Sequence, residues 1–243
     1  MKLHYQISEP DSLGADCLDS MYALFASVYD GVSREMFDED LSAKTWVVLL
    51  LDEELRVMGF STQEVYQSET AGGPVKILFS GDTVVAPSHW GSQVLVKGWC
   101  EVAARVVESA GGLPCYWFLI SKGYRTYLYL PLFFVNYHPN RNGIAPELGA
   151  VLEHVAQEKF SGSFDPESGL IRFPDHAARL GGGLKNIPHH RDQDPDVEFF
   201  LEMNPGFADG VELACLAPLN VDNTRGVGRR MLTQAMKRLS CPE

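Results

Sequence analysis

Apolar positions along the first 140 residues alternate between a strand rhythm and a helix rhythm, with short polar breaks between. Positions 2–7 alternate weakly, which predicts a first strand. Asp11 then offers an N-cap for a helix carrying Leu18, Met21, Tyr22, Phe25 and Val28 at helical spacing, ending near Asp30-Gly31. Ser33, followed by Glu35 and Met36, opens a shorter helical stretch through Leu41. Positions 45–51 are too apolar for a sheet edge and predict a buried strand. The charged turn Asp52-Glu53-Glu54 returns the chain along 57–66 as the other arm of a hairpin. After a loop at 68–74, positions 75–85 form a long strand that ends before Pro87. From Trp90 to about Ser109 the rhythm is helical, through Val94, Leu95, Trp99, Val102, Ala103, Val106 and Val107, and Gly111-Gly112 stops it. Positions 115–120 are an apolar strand, and 122–130 a short helix before Pro131.

Past Asn140 the pattern weakens. Positions 147–160 read as a helix, and 161–196 as a loop-rich stretch containing Gly181-Gly182-Gly183 and Pro188-His189-His190-Arg191. Positions 197–203 and 211–216 are expected strands, and 227–239 a closing helix. The order describes an α/β layout with a mixed sheet over residues 1–144, followed by an extension at 145–243.

The chain has 243 residues, 45% of them hydrophobic, which is enough to bury a sizeable core. Its net charge of −12 argues against a surface devoted to nucleic acid or anionic lipid. The charge is segregated. Residues 1–60 carry net −8, whereas 90–141 carry +3 and 225–238 carry +5 with no acid. Five dispersed cysteines without a CxxC pair suggest a reducing compartment. No signal-like or membrane-spanning stretch is expected either, so the expected location is cytoplasmic.

Chemistry concentrates at Ser80-Gly81-Asp82-Thr83-Val84-Val85-Ala86-Pro87-Ser88-His89-Trp90-Gly91-Ser92-Gln93. A strand ends, a glycine-bearing turn follows, and a helix begins at once. Unpaired N–H groups and the positive helix end then converge on one point, as a pyrophosphate requires, although an ordinary strand-to-helix connection has the same outline. Asp82 after Gly81 fits either a bulge or a proton acceptor in a cleft.

This layout resembles the GCN5-related N-acetyltransferase superfamily, the acyl-coenzyme A dependent transferases. The resemblance covers roughly residues 1–138. It rests on the charged turn at Asp52-Glu53-Glu54 with Gly59-Phe60 after it, on the cofactor-loop position at Ser88 to Gln93, where the central Gly91 matches, and on Leu128-Tyr129-Leu130-Pro131-Leu132-Phe133-Phe134. It implies a mixed, mostly antiparallel central sheet flanked by helices. It further implies transfer of an acyl group from a coenzyme A thioester to a small-molecule amine or similar nucleophile, with no metal. Ser88 and Gln93 depart from the family loop, which a relative charged by an acyl carrier protein would tolerate. Under the resemblance Val84 and Val85 offer backbone groups to the pantetheine arm, and Trp90, Gly91 and Ser92 offer phosphate-facing N–H groups. Tyr129 is the general acid for the leaving thiolate and Asp82 the acceptor of the amine proton. Packing among Tyr124, Tyr127, Leu128 and Leu130 is an equal role for Tyr129 on sequence grounds. A degenerate fold that binds ligand without turnover is the alternative to an enzyme.

Two other constellations stand apart. The segment from Pro188 to Asp196 collects His and Asp, but neighbouring histidines diverge and do not suit one ion. Arg225-Gly226-Val227-Gly228 opens the last helix and resembles the cofactor loop again, so the extension reads as a second incomplete half, a lid or an arm for a homodimer.

Overall fold

The computed structural model describes residues 2–143, 145–173, 179–181, 191 and 193–240. Strand β1 (His4–Ser8) leads into α1 (Ala15–Val28), the short β2 (Tyr29–Asp30) and α2 (Arg34–Ser42). Then come β3 (Trp46–Leu51), β4 (Val57–Thr70), β5 (Gly73–Val85), α3 (Val94–Glu108) and β6 (Cys115–Ser121). The short α4 (Tyr124–Tyr127) and α5 (Tyr129–Phe133) follow, then α6 (Pro146–Phe160), β7 (Phe164–Asp165), β8 (Leu170–Ile171) and β9 (Arg179–Leu180). The chain closes with α7 (Pro195–Met203), β10 (Glu212–Pro218) and α8 (Gly226–Ser240).

Eight strands form one sheet in the order β1-β3-β4-β5-β6-β10-β8-β7. All neighbours are antiparallel except β5 and β6, which run parallel because α3 carries the chain between them. This is the mixed, mostly antiparallel sheet flanked by helices that the sequence implies. Alternation assigns the two faces. Val48, Leu50, Leu78, Trp117, Leu119 and Cys215 meet α3, α7 and α8 on one side. On the other, Val47, Leu49 and Phe60 meet α1 and α2, while Ile77, Phe79, Phe118 and Leu216 meet α6. Among the described residues no helix is long and apolar enough to cross a membrane.

Several local expectations are corrected. Asp11 lies in a 3-10 turn, and α1 starts later, after an extended Gly14. The expected loop at 68–74 shrinks to Ala71-Gly72, since β4 runs to Thr70 and β5 starts at Gly73. Ser68 looks like a loop residue, yet it is buried and donates to Glu158 Oε2 of α6 at 2.6 Å. Pro131 does not end the helical segment, because it stands in the first turn of α5 where no N–H is needed. Positions 197–203 are helical, not a strand. Asp194 caps that helix by accepting from Asp196 N–H at 3.1 Å, Pro195 follows at N1, and Val197 and Phe200 point into the core together. The boundary at 144/145 does not divide the sheet. β10 pairs with β6 along 213–218 and α8 packs on α3, so the extension adds to the same layers. Residues 182–190 and Cys241, which include the paired histidines, lie outside the described residues.

Candidate functional site

The site begins with one extra residue in β5. Ser61 pairs with Thr83 and Gln63 with Ser80, so Thr62 alone faces both Gly81 and Asp82. This is a β-bulge, and it reverses the parity of the strand. Phe79 and Val84, an odd number of residues apart, consequently share the α1/α2/α6 face, while Ser80 and Val85 share the α3 face. Gly81 fits the bulge because a Cβ there would come within 2.7 Å of Thr62 Oγ1 and 3.1 Å of Lys44 Cε. Pairing of β5 with β6 runs from Lys76 opposite Cys115 to Ser80 opposite Leu119 and stops there. From Gly81 onward β5 leaves β6, and a gap opens in the middle of the sheet.

On the α1/α2/α6 face the gap opens into a cavity of about 460 Å³. Phe25, Phe37, Phe79 and Phe160 supply apolar walls, and Asp82 lies at the sheet side. Three lysines reach in, Lys44 from the α2–β3 connection, Lys122 from the β6–α4 connection and Lys159 from α6. Lys44 pairs with Asp40 at 2.7 Å, Lys159 with Glu64 at 2.6 Å, and Lys122 with Glu212 at 3.2 Å. Lys44 and Lys159 also lie over the Phe79 ring, at 5.5 and 4.6 Å, and Lys122 over Tyr29 at 4.9 Å. The cavity thus holds four carboxylates against three ammonium groups. Asp82 is raised to about 7, chiefly because burial disfavours its charge; Asp40 and Glu212 add to the effect, and Lys122 and Lys44 partly oppose it.

On the α3 face the gap opens into a smaller slot of about 60 Å³. Leu95, Trp99, Trp117, Tyr129 and Phe133 line it, with Ser61, Ser80 and Thr83 as its polar wall. Tyr129 is about a third exposed at the rim and stacks on Phe133 at 5.7 Å; desolvation holds its phenol above the ordinary value. Gly81, Thr83, Ile120 and Thr126 line both spaces. Tyr129 and Asp82 therefore approach the same gap from opposite faces.

The residues expected to hold the donor separate on inspection of their backbone. Ala86 N–H donates to Met58 C=O at 2.9 Å, which makes that a hydrogen-bonded pair. Ladder alternation then turns the peptide groups of Val84 toward β4 and those of Val85 toward the gap. Val84 is corrected accordingly: its backbone is spent inside the sheet. The Val85 C=O accepts from Trp90 Nε1 at 2.9 Å, leaving its N–H on the gap side. Trp90 and Ser92 are corrected too, because their N–H groups bond within the turn, to Pro87 C=O at 3.4 Å and His89 C=O at 3.1 Å. Gly91 has φ +88, the left-handed conformation that suits glycine, with open space beside its Cα. α3 begins at Val94, whose N–H is taken by Ser92 Oγ at 3.3 Å, so its open end lies at Leu95 and Val96. Arg125 covers the exposed Trp90 ring at 4.3 Å and brings a positive charge to this end.

The Arg225 to Gly228 loop serves packing. Asn223 clamps it to the chain after α5, accepting from Asn136 N–H at 2.8 Å and donating to Asn136 C=O at 2.9 Å. Gly228 lies against Phe133, and a Cβ there would meet Phe133 Cδ1 at 2.9 Å. Gly228→Ala is expected to cost about 1 kcal/mol or more, the overpacking strain exceeding the gain in helix propensity. Urea unfolding reads this, and a stabilised variant would show that Phe133 simply turns aside.

Sequence reasoning missed Lys44, Glu64, Lys122, Lys159 and Glu212, which come from five separate stretches of the chain and meet only through the fold. It also missed Ser61 and Gln63 and gave Ser80 no role, although Ser80 is a polar residue directly after the apolar run Ile77-Leu78-Phe79.

No family model matches the sequence, and no curated protein matches it. The solved structures similar to it include acyl- and acetyltransferases at low identity. One is a probable N-acyltransferase from Enterococcus faecalis, at 12% identity and TM-score 0.43, matched over 56% of this chain and 33% of that one. Another is a GNAT family N-acetyltransferase from Escherichia coli in complex with CoA, at 13% and 0.37, over 50% and 65%. A third is a Trypanosoma brucei acetyltransferase, at 19% and 0.42, over 59% and 99%. The matched region thus spans a third of the first of these proteins and just under two thirds of the second.

Proposed function

We propose that the chain is an acyltransferase of the GCN5-related N-acetyltransferase type, moving an acyl group from a coenzyme A thioester to a small-molecule amine. The observation that supports this reading is the gap between β5 and β6, onto which two cavities open from opposite faces. A thioester arm lies along the gap from the α3 side, with the Val85 N–H available to pair with its amides as an added strand would. The acceptor occupies the larger cavity, where aromatic walls take an apolar body and the Asp82 carboxyl faces the amine nitrogen.

The reaction needs no covalent enzyme intermediate. The amine nitrogen attacks the thioester carbonyl carbon and its proton passes to Asp82, directly or through water. An acid poised near 7 is matched to that task. The carbon–sulfur bond then breaks, and the thiolate takes the Tyr129 phenol proton. Holding both partners at the gap supplies the orientation.

Titration calorimetry with acetyl- and octanoyl-coenzyme A, followed by turnover with phenethylamine, tests the reading. Binding in the micromolar range with amide formation supports it, and no binding removes the donor. Tyr129→Phe is expected to lower kcat by about 10- to 100-fold with donor binding intact. Unchanged turnover would take Tyr129 out of the mechanism. An octanoyl carrier-protein thioester serves as the second donor arm. The engaged N–H groups of Trp90 and Ser92 would be no loss with that donor, which has no adenosine diphosphate to cradle. They equally suit a binding module without turnover, which binding with no amide formation from either donor would reveal.

A further inference from the structure

The polar wall of the smaller slot is a hydrogen-bond chain whose donors are fixed from the two indoles as far as Ser61. Trp99 Nε1 and Trp117 Nε1 both lie on Ser80 Oγ, at 3.2 and 2.8 Å. An indole N–H only donates, so the pair fills the lone pairs of Ser80 and its O–H must donate onward. The acceptor is Gln63, 2.7 Å away, which therefore presents Oε1. The amide is oriented by this requirement, and its Nε2 faces Ser61 Oγ at 2.7 Å. Ser61 Oγ and Thr83 Oγ1 lie 2.7 Å apart and either can donate; the buried Ser61 proton has no other acceptor among the described contacts, whereas Thr83 borders the gap, so the arrangement that satisfies both hydroxyls has Ser61 donating. Thr83 thus accepts from Ser61 and keeps its own O–H to donate into the gap that it lines on both faces.

Burying such a chain has no evident benefit for the sheet. Ser61, Gln63 and Ser80 are at most 6% exposed, at positions where apolar residues would pack without any polar group to satisfy. What the chain secures is the orientation of one hydroxyl. We infer that Thr83 is a catalytic residue whose hydroxyl donates a hydrogen bond to the carbonyl oxygen of the thioester, with Ser61, Gln63 and Ser80 as positioning residues. This rests on the acyl-transfer reading. As the amine nitrogen bonds to the carbonyl carbon, the C=O π electrons move onto oxygen and the bond from Thr83 strengthens. Those electrons return when the carbon–sulfur bond breaks and the sulfur leaves as thiolate. Thr83 loses no proton, since the amine proton goes to Asp82 and the sulfur takes the proton of Tyr129.

Thr83→Val keeps the shape and removes the donor. Its kcat with acetyl-coenzyme A and phenethylamine should fall roughly 10- to 100-fold, with calorimetric binding of acetyl-coenzyme A within about twofold of wild type. Thr83→Ser should restore kcat to within about threefold of wild type, because the hydroxyl and its acceptor bond return. Ser80→Ala should shift the indole ¹⁵N–¹H resonances of both Trp99 and Trp117 and lower kcat with little change in KM. An active wild type with an unimpaired Thr83→Val, or a Thr83→Ser as slow as the valine variant, overturns the assignment of Thr83 alone. A wild type that neither binds nor turns over the thioester overturns the acyl-transfer reading and this proposal together. Indole resonances unmoved in Ser80→Ala would break the chain at its first link.

Discussion

Asp82→Asn is expected to reduce turnover by about 100-fold or more while binding of the thioester changes little, because the amide cannot accept the proton of the attacking amine. The wild-type rate should climb with pH through an inflection at about 7 as this carboxyl ionises, and the asparagine variant should lose that limb. A pH–rate profile of both proteins checks this, and an inflection that survives in the variant would assign it to another group. Stability should move the opposite way. The carboxyl of the folded protein titrates at about 7 and that of the unfolded chain at 3.8, so the folded state holds the extra proton between those values. Stability accordingly falls as pH rises through that window and levels off above it. At pH 8 the asparagine variant should be more stable by about 2 kcal/mol, less than the whole shift implies because the cavity side of the carboxyl keeps water. Urea unfolding at pH 5 and pH 8 reads the difference, which should be smaller at pH 5 and vanish only below about 3.8. The same desolvation that readies Asp82 for proton transfer is thus a cost to the fold.

Gly98→Val should destabilise the protein by about 3 kcal/mol or more, at the upper end for an overpacked core, and Gly98→Ala by less. Gly98 is where α3 presses onto the sheet. A Cβ there would run into Val48 Cγ1 and come within 3.0 Å of the Tyr5 ring, both in the layer beneath the helix. The helix cannot back away freely, because α8 packs against it. Any lift also displaces Leu95 and Val96 at the open end of α3, so the alanine variant should bind acetyl-coenzyme A more weakly even where it folds. Urea midpoints and calorimetry separate the two effects. Unaltered stability in the alanine variant would mean that Val48 and Tyr5 repack without strain, and the helix position would then owe little to this glycine.

The legible parts of the fold were those written in local pattern. The run at Trp46–Leu51 is apolar at every position and became an inner strand between β1 and β4. Ser33 capped α2 as expected, accepting from Met36 N–H at 3.2 Å. Failures came where local preference and context compete. The β-formers of the segment Val197-Glu198-Phe199-Phe200-Leu201 suggested a strand, but an Asp-Pro start and the burial of Val197 with Phe200 made it a helix. Ser68 and Glu69 looked like a loop, yet α6 covers that end of β4 and gives Ser68 a buried partner.

By itself the sequence determined the order of the main elements from β1 to β6 and the presence of a tyrosine after β6, and it marked Gly81-Asp82 as a candidate bulge, because periodicity and turn chemistry act between near neighbours. Only the tertiary structure decided which of these features meet. The bulge inverts the strand's parity, which sends Asp82 to one face and Thr83 to the other. Tyr129 reaches the gap only because α5 is seated against α8. The lysines and carboxylates around Asp82 converge from elements spread over some 170 residues, from Asp40 to Glu212. Which face a side chain takes depends on the whole register of its strand, and what it finds there depends on elements far away in the chain. Neither quantity is carried by any short stretch of residues.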